Sequence, residues 1–411
     1  MPKEKVIGIV AEYNPFHKGH AYQITTAKKQ LGADKVIVVM SGNFTQRGEA
    51  ALLDKWQRTE LALAGGADLV LELPTIYALR SSEVFGKNAV GLLAATGLVT
   101  HLVFGCETTK PEFLATLAQE KITKEQLGPY LNKGLTYGAA VTTLLEHKYG
   151  PEASLLKKPN NILALAYYQA LQGITPSLEP FALERQGADY KDSTLQTDFP
   201  SAQGLRQALL AQLPAKELQK GFPAKVWQLL NHYRDKQTLG INETARWLLL
   251  KHKLSTSTAA GLAAASDCSE GLENKLLTGV RAGNYAEFLQ MVKSRRYPLT
   301  RLQRLTYQLL LSTEEVPFGT TQGLEPAYLR VLGFNSQGQQ LLKAMKKTAT
   351  LPIITKLHKN ELLNKPANLQ KSLQMDIAAT NLYDLLTNTD GFNRDYTTSP
   401  LHYEEGVSYA K

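Results

Sequence analysis

The stretch Val6-Ile7-Gly8-Ile9-Val10-Ala11-Glu12-Tyr13-Asn14-Pro15-Phe16-His17-Lys18-Gly19-His20 decides the fold. Its first six residues are apolar, mostly β-branched and without polar alternation. Strands that read this way are buried on both faces of a parallel sheet. Asn14-Pro15 ends the run, and helical spacing resumes over Gln23–Leu31. His17, Lys18, Gly19 and His20 therefore fall in the turn between the first strand and the first helix. In an open α/β sheet, ligands bind beyond the carboxyl ends of the strands, where this turn lies. The free N–H groups of the following helix face the same place and favour a phosphate. Gly19 has no Cβ, so a flat base can approach its backbone. His17 and His20, three residues apart, can both donate to phosphate oxygens as charge develops in displacement at an α-phosphate. Lys18 adds a mobile cation.

Working outward, four further runs have the same buried-strand character: Lys35–Met40, Asp68–Leu73, His101–Gly105 and Pro180–Glu184. Helical segments such as Lys55–Ala64 lie between them. This alternation predicts an α/β fold, a Rossmann-like doubly wound parallel sheet. From about Ser201 the strand signals stop and helical patterns take over, as in Gly204–Leu213, Glu243–Lys253 and Thr300–Leu311. A mainly α-helical second part is expected. Turn residues near Pro214 and Gly221-Phe222-Pro223 place the boundary, giving a catalytic domain over 1–215 and a helical domain over 216–411. The polar stretch from Asn388 onward reads as a loosely held tail.

The chain has 411 residues, 43% of them hydrophobic and 20% charged. That composition excludes wholesale disorder. Its only cysteines, Cys106 and Cys268, exclude a disulfide scaffold and a cysteine zinc site, and a cytoplasmic location is expected. No apolar run is long enough to span a membrane, and the amino terminus has no signal-peptide pattern. Residues 1–200 hold 20 Lys/Arg and 20 Asp/Glu, so the whole net charge of +9 lies in the second part. A neutral part joined to a basic one suits an enzyme that holds a polyanion. The basic residues concentrate in Lys293, Arg295, Arg296, Arg301 and Arg304, with Tyr297 among them for stacking. This group is expected to hold RNA. Lys343, Lys346 and Lys347 read as plain surface.

The H-x-G-H turn is similar to that of HIGH-type nucleotidyltransferases, which join an ATP α-phosphate to an acceptor and release pyrophosphate. Many members carry a Ser-x-x-x-x-Arg element at a later helix start. Here Ser201 can cap a helix and donate to a phosphate, and Arg206 can reach the leaving pyrophosphate. Longer motifs narrow the likeness. Val10–His20, Met40–Glu49, Gly65–Pro74, Phe104–Glu107, Lys158–Leu163, Arg185–Tyr190, Lys293–Arg304 and Tyr328–Phe334 together resemble the bacterial tRNA(Met) cytidine acetate ligase family over nearly the whole chain.

The resemblance implies that acetate is activated with ATP as acetyl-adenylate. The acetyl group then passes to N4 of the wobble cytidine of elongator tRNA(Met), and AMP leaves. It implies ATP and acetate as substrates and no use of acetyl-CoA; Mg2+ is expected to accompany the ATP, and no membrane and no obligatory protein partner are expected. By motif match the ATP contacts are Val10, Ala11, Glu12, Tyr13, Asn14, Pro15, Phe16, His17, Lys18, Gly19, His20, Ala21, Tyr22, Gln23, Gly105 and Arg185. Asn160 or its neighbour Asn161 joins them. No protein metal ligand is expected. Ala164 stands where the family often has Gly.

The chemistry agrees on its own terms. Acetate is an anion that needs no general base; it needs charge neutralisation and alignment. His17, His20, Lys18, Arg185 and Arg206 supply donors and cations. Ser41–Gly48 is read as the acetate pocket, a guide for the cytidine or a plain connecting loop. Lys55 reads as part of a solvated helix face, and Arg58 as a cation within reach of the site. Glu107 reads as a partner of a ribose or magnesium water, or as a helix cap. Cys106 reads as a small core residue. Two other readings remain: a small-molecule adenylyltransferase of the same superfamily, and a non-catalytic RNA-binding protein on a vestigial nucleotide fold. The basic helical part argues against the first, and the intact H-x-G-H against the second.

Overall fold

A computed structural model describes residues 4–174, 178–185, 199–236, 239–263, 268, 271–312, 317–321, 323–358 and 365–404. The five expected strands form: β1 (Val6–Ala11), β2 (Lys35–Ser41), β3 (Leu69–Leu73), β4 (His101–Cys106) and β5 (Glu179–Glu184). They pair in parallel in the order β5-β4-β1-β2-β3. The chain runs outward from β1 through β2 to β3, then returns to place β4 on the other side of β1. The strand order thus reverses at β1 and β4, which is where an open α/β sheet opens its ligand crevice. Apolar side chains such as Ile7, Ile9, Val36, Val38 and Val70 are sealed on one face, and Val6, Ile37, Val39, Leu69 and Leu71 on the other.

The second part is not wholly helical. β6 (Leu329–Phe334) joins the sheet antiparallel to β3, and β7 (Ile353–Ile354) and β8 (Leu401–His402) pair with β6 in parallel. The sheet is therefore mixed, and the expected boundary at 215/216 is not an edge of the sheet. The expected end of strand signals near Ser201 is corrected by these three strands. The expected loose tail is corrected too. Residues 394–402 carry a short helical turn and β8, and Asp395 is 1% exposed. Its carboxylate accepts from Lys55 Nζ at 2.7 Å, and Arg330 Nη2 lies 3.6 Å from it. Lys55 also pairs with Glu72 at 2.9 Å and is fully buried. The solvated face expected for Lys55 does not exist, because the folded-back tail covers it. Removing one member of such a pair strands its partner's charge, at a cost of about 3–5 kcal/mol.

Elsewhere the second part is helical. The helices Glu243–Ser255, Leu272–Gly279, Tyr285–Val292 and Leu299–Leu311 enclose their own apolar cluster around Trp247, Phe288 and Leu305. The stripe Leu302, Leu305 and Leu309 faces that cluster, as its i, i+3, i+7 spacing requires.

Candidate active site

β1 ends in a strained turn. Tyr13 takes φ +43°, which a bulky residue rarely adopts. The turn delivers His17 as N-cap of the Lys18–Leu31 helix, where its Nδ1 accepts from Gly19 N–H at 3.0 Å. His20 reaches back, and its Nδ1 accepts from His17 N–H at 3.2 Å. Both Nδ1 atoms thus act as acceptors toward backbone N–H groups. In the neutral ring the proton must then sit on Nε2, which leaves two Nε2–H donors. The rings lie 3.9 Å apart, and His20 is wedged against Tyr13 and Phe16. Burial, then the charges of Arg185 and Arg206, hold His17 neutral down to about pH 3. Burial, His17 and Arg185 push His20 the same way. A neutral imidazole donates without bringing a charge that water would otherwise have to solvate.

These donors face a cavity of about 160 Å³ at the β1/β4 crevice. Val10, Ala11, Glu12, Tyr13 and Asn14 enter it from the end of β1, and Phe104 and Gly105 from β4. Gln23, Asn160, Arg185 and Arg206 complete its polar wall. A smaller recess shares His17, His20, Gln23, Gly105 and Arg185 with it and extends to Gly19, Tyr22 and Phe199. Arg206 is fixed by Asn14 O at 2.9 Å and Glu49 at 3.0 Å. Asn160 is held by Glu107, whose carboxylate accepts from Asn160 N and Nδ2. Asn161 is fully buried, its amide spent on Glu107 N–H and Leu155 O, so Asn160 is the one that lines the cavity. Glu107 thus serves the start of the Pro159–Leu171 helix.

Other expected residues lie outside the cavity walls. Lys18 opens its helix but lines neither space, and neither do Pro15, Phe16 and Ala21. Phe16 is core. Ser201 caps the Ala202–Leu210 helix by accepting from Gly204 N–H at 3.0 Å, and Ala202 beside it touches the cavity. Arg58 is sealed from solvent. Its guanidinium donates to the carbonyls of Glu12, Ser41, Gly42 and Leu53, tying the ends of β1 and β2 together. Cys106 is buried. Of the motif Arg185–Tyr190, residues 186–190 lie outside the described residues.

The structure adds Phe85, Leu163 and Tyr167 to the walls. Sequence reading passed them over because each lies in an apolar helical pattern that reads as core. The available signal was topological: the helices Ser82–Ala95 and Pro159–Leu171 begin at the carboxyl edge of the sheet. From the loop after β2, Gln46 and Arg47 also line the cavity. Gln46 N–H donates to Glu12 at 2.7 Å, and burial raises the Glu12 pKa against the opposing pull of that bond and of Arg47. This loop touches the basic helical part directly. Arg304 Nη1 donates to Gln46 O at 3.2 Å, and a Cβ on Gly48 would lie 2.3 Å from Arg304 N.

Lys293, Arg295 and Arg296 are exposed, and Arg301 and Arg304 are half-buried. Tyr297 is 3% exposed, with Lys275 and Arg301 over its ring. The stacking expected of it is corrected: its ring belongs to the helical core. Among the described residues no three His, Cys, Asp or Glu side chains gather to hold a metal, and no helix is long and apolar enough to cross a membrane.

A mixed sheet with a parallel five-stranded core, whose first turn presents H-x-G-H to a crevice at the reversal of strand order, defines a HIGH-class nucleotidyltransferase. A family model described as HIGH Nucleotidyl Transferase matches residues 4–397. Curated relatives match nearly the whole chain. The tRNA(Met) cytidine acetate ligase of Clostridium novyi (strain NT) is 32% identical, covering 97% of this chain and 99% of that protein. That of Leuconostoc citreum (strain KM20) is 37% identical, covering 98% of each. The apo crystal structure of Thermotoga maritima TmcAL superposes with a TM-score of 0.89 at 30% identity, covering 97% of this chain and 99% of that one. A second, bound with alpha-thio ATP, gives 0.87. The chain belongs to the tRNA(Met) cytidine acetate ligase family.

Proposed function

We propose that this protein activates acetate with ATP and transfers the acetyl group to N4 of the wobble cytidine of elongator tRNA(Met), forming N4-acetylcytidine. The observation that carries the reading is the pair of neutral imidazoles, each with Nδ1 committed to backbone and Nε2–H free to donate, beside Arg185 and Arg206 on one cavity. Val10–Asn14, Gln23, Gly105 and Asn160 line the ATP site around them. An acetate oxygen attacks the α-phosphorus, the bond to the bridging oxygen breaks, and pyrophosphate leaves with the electron pair. The imidazole donors and arginines steady the charge gathering on the phosphate oxygens. The cytidine amine then attacks the acetyl carbonyl, loses a proton, and AMP departs. Acetyl-adenylate is a reactive enough donor for so weak a nucleophile. Mg2+ would arrive on the phosphates of ATP. The chain gathers no ligand set for it among the described residues.

We assign the tRNA to Lys293, Arg295, Arg296, Arg301 and Arg304, within residues 216–411, and the chemistry to residues 1–215. The division is one of labour, since β6–β8 complete the sheet. Arg304 on Gln46 supports this reading, because it joins the basic surface to a wall of the cavity. Two measurements test it. Pyrophosphate release is expected to require acetate. Nucleosides from tRNA incubated with ATP and labelled acetate are expected to carry labelled N4-acetylcytidine. Release that needs a different small acceptor would favour the adenylyltransferase reading, and no release the non-catalytic one.

A further inference from the structure

A second cavity, of about 300 Å³, opens at the start of the Ser82–Ala95 helix. Tyr77 lines it. That residue is 2% exposed, yet its hydroxyl is buried without a partner among the described residues. A buried hydroxyl left unpaired is costly, so the fold holds a polar atom ready for a ligand. Arg80, 7% exposed, lies beside it. Its guanidinium is held by Ile76 O, by Thr321 Oγ1 at 3.3 Å and by the Phe318 ring. The helix begins here with no side-chain cap on its first N–H groups. Lys87 and Glu325 pair at 3.3 Å on the exposed rim, and Val84 forms an apolar edge. Donors, a carboxylate acceptor and an apolar edge within one cleft suit a nucleobase with an exocyclic amine better than a simple anion or an alkyl chain.

One hydrogen bond links a wall of this cleft to a wall of the ATP cavity. Gln46, which lines the latter, donates its Nε2–H to Arg80 O at 3.1 Å. Gln46 and the Arg80 backbone thus link the walls of the two spaces. Resting on the function proposed above, we propose that this second cavity holds the base of a nucleotide flanking the target cytidine, and so reads the sequence beside the modified position. Enzymes that act on a splayed-out base set their sequence context by such contacts to neighbouring nucleotides. A strand entering past Arg304 and Gln46 would place the target amine at the acetyl group and its neighbour against Tyr77 and Arg80.

The test uses the intact protein with tRNA, or with an anticodon stem-loop, in which each base flanking the target is exchanged in turn. Acetate-dependent pyrophosphate release without RNA is measured in parallel. Exchange of one flanking base is expected to lower acetyl transfer by about tenfold, the worth of one good polar contact. Tyr77→Phe keeps the ring and removes only the hydroxyl. It is expected to lower transfer to the natural tRNA and shrink that discrimination, leaving RNA-free pyrophosphate release unchanged. Val84→Trp alters an exposed position, so it fills the cleft without entering the core. It is expected to cut transfer by more than about tenfold, again without touching the RNA-free step. A wild-type enzyme indifferent to both flanking bases, or a Val84→Trp variant that transfers as well as wild type, overturns the proposal. Absence of acetate-dependent release in the wild-type protein would instead overturn the parent reading.

Discussion

His17 and His20 divide their nitrogens between structure and chemistry. Each Nδ1 is consumed in holding the turn, which fixes the tautomer and aims each Nε2–H. Removing the His20 ring is expected to lower acetate-dependent pyrophosphate release by at least about a hundredfold. Retention of tRNA on a filter should stay near wild type; a fully active His20→Ala would remove the ring from the mechanism. The same burial has a thermodynamic consequence. Both rings are held below their ordinary pKa, so between pH 6.5 and about 3 the unfolded chain binds more protons than the native protein. Stability contributed by these neutral rings is present above pH 6.5 and is lost as pH falls through that window. Denaturant midpoints measured across it should fall with acid, and less steeply in His17→Gln. An identical slope in that variant would place the titrating groups elsewhere.

Gly48 is the hinge point between elements. Its φ of +75° and its contact with the backbone of Gln303 and Arg304 leave no room for a Cβ. Gly48→Ala must either distort the loop after β2 or push the Leu299–Leu311 helix away. A loss of about 1–3 kcal/mol in chemical denaturation is expected, together with weaker acetyl transfer to tRNA. A stability change under a few tenths of a kcal/mol would show that the contact gives way freely. Such pairings also mark where sequence reading stops. β1 to β5 and the H-x-G-H turn were legible because their signals are local: uninterrupted apolar runs and a turn at a strand end. β6 was not, because Arg330 interrupts Leu329–Phe334 as a charge inside an apolar run. Arg330 is tolerated only because Asp395, far along the chain, lies beside it. Lys55 and Tyr297 misled for the same reason. A lysine reads as solvated and a tyrosine among arginines reads as a stacking platform until distant elements cover them. Asn160 and Asn161 could not be separated in sequence, since only the helix's rotation shows which amide faces the cavity.

The whole molecule joins a nucleotide crevice to a cationic surface through the loop carrying Gln46. If the exposed arginines meet RNA phosphates, Arg295→Ala with Arg296→Ala should weaken tRNA binding. It should also make the dependence of log affinity on log salt shallower by about 1 to 1.5. RNA-free pyrophosphate release should not change, and an unchanged salt slope would move the RNA to another face. The folded-back tail makes a separate forecast. Asp395→Ala leaves Lys55 and Arg330 short of a partner in the interior and should cost about 3–5 kcal/mol in denaturation. A near-neutral result would mean that Glu72 alone satisfies Lys55.

The pairing of Lys55 with Asp395 joins segments far apart in the chain, and the β3 edge is likewise closed only by the much later β6. A nascent chain therefore presents an open β3 edge until β6 emerges, and Lys55 has Glu72 alone as its partner until Asp395 does. Such an edge invites pairing with other chains. Premature termination before β6 should yield a protein that is sticky as well as inactive, however complete its ATP pocket.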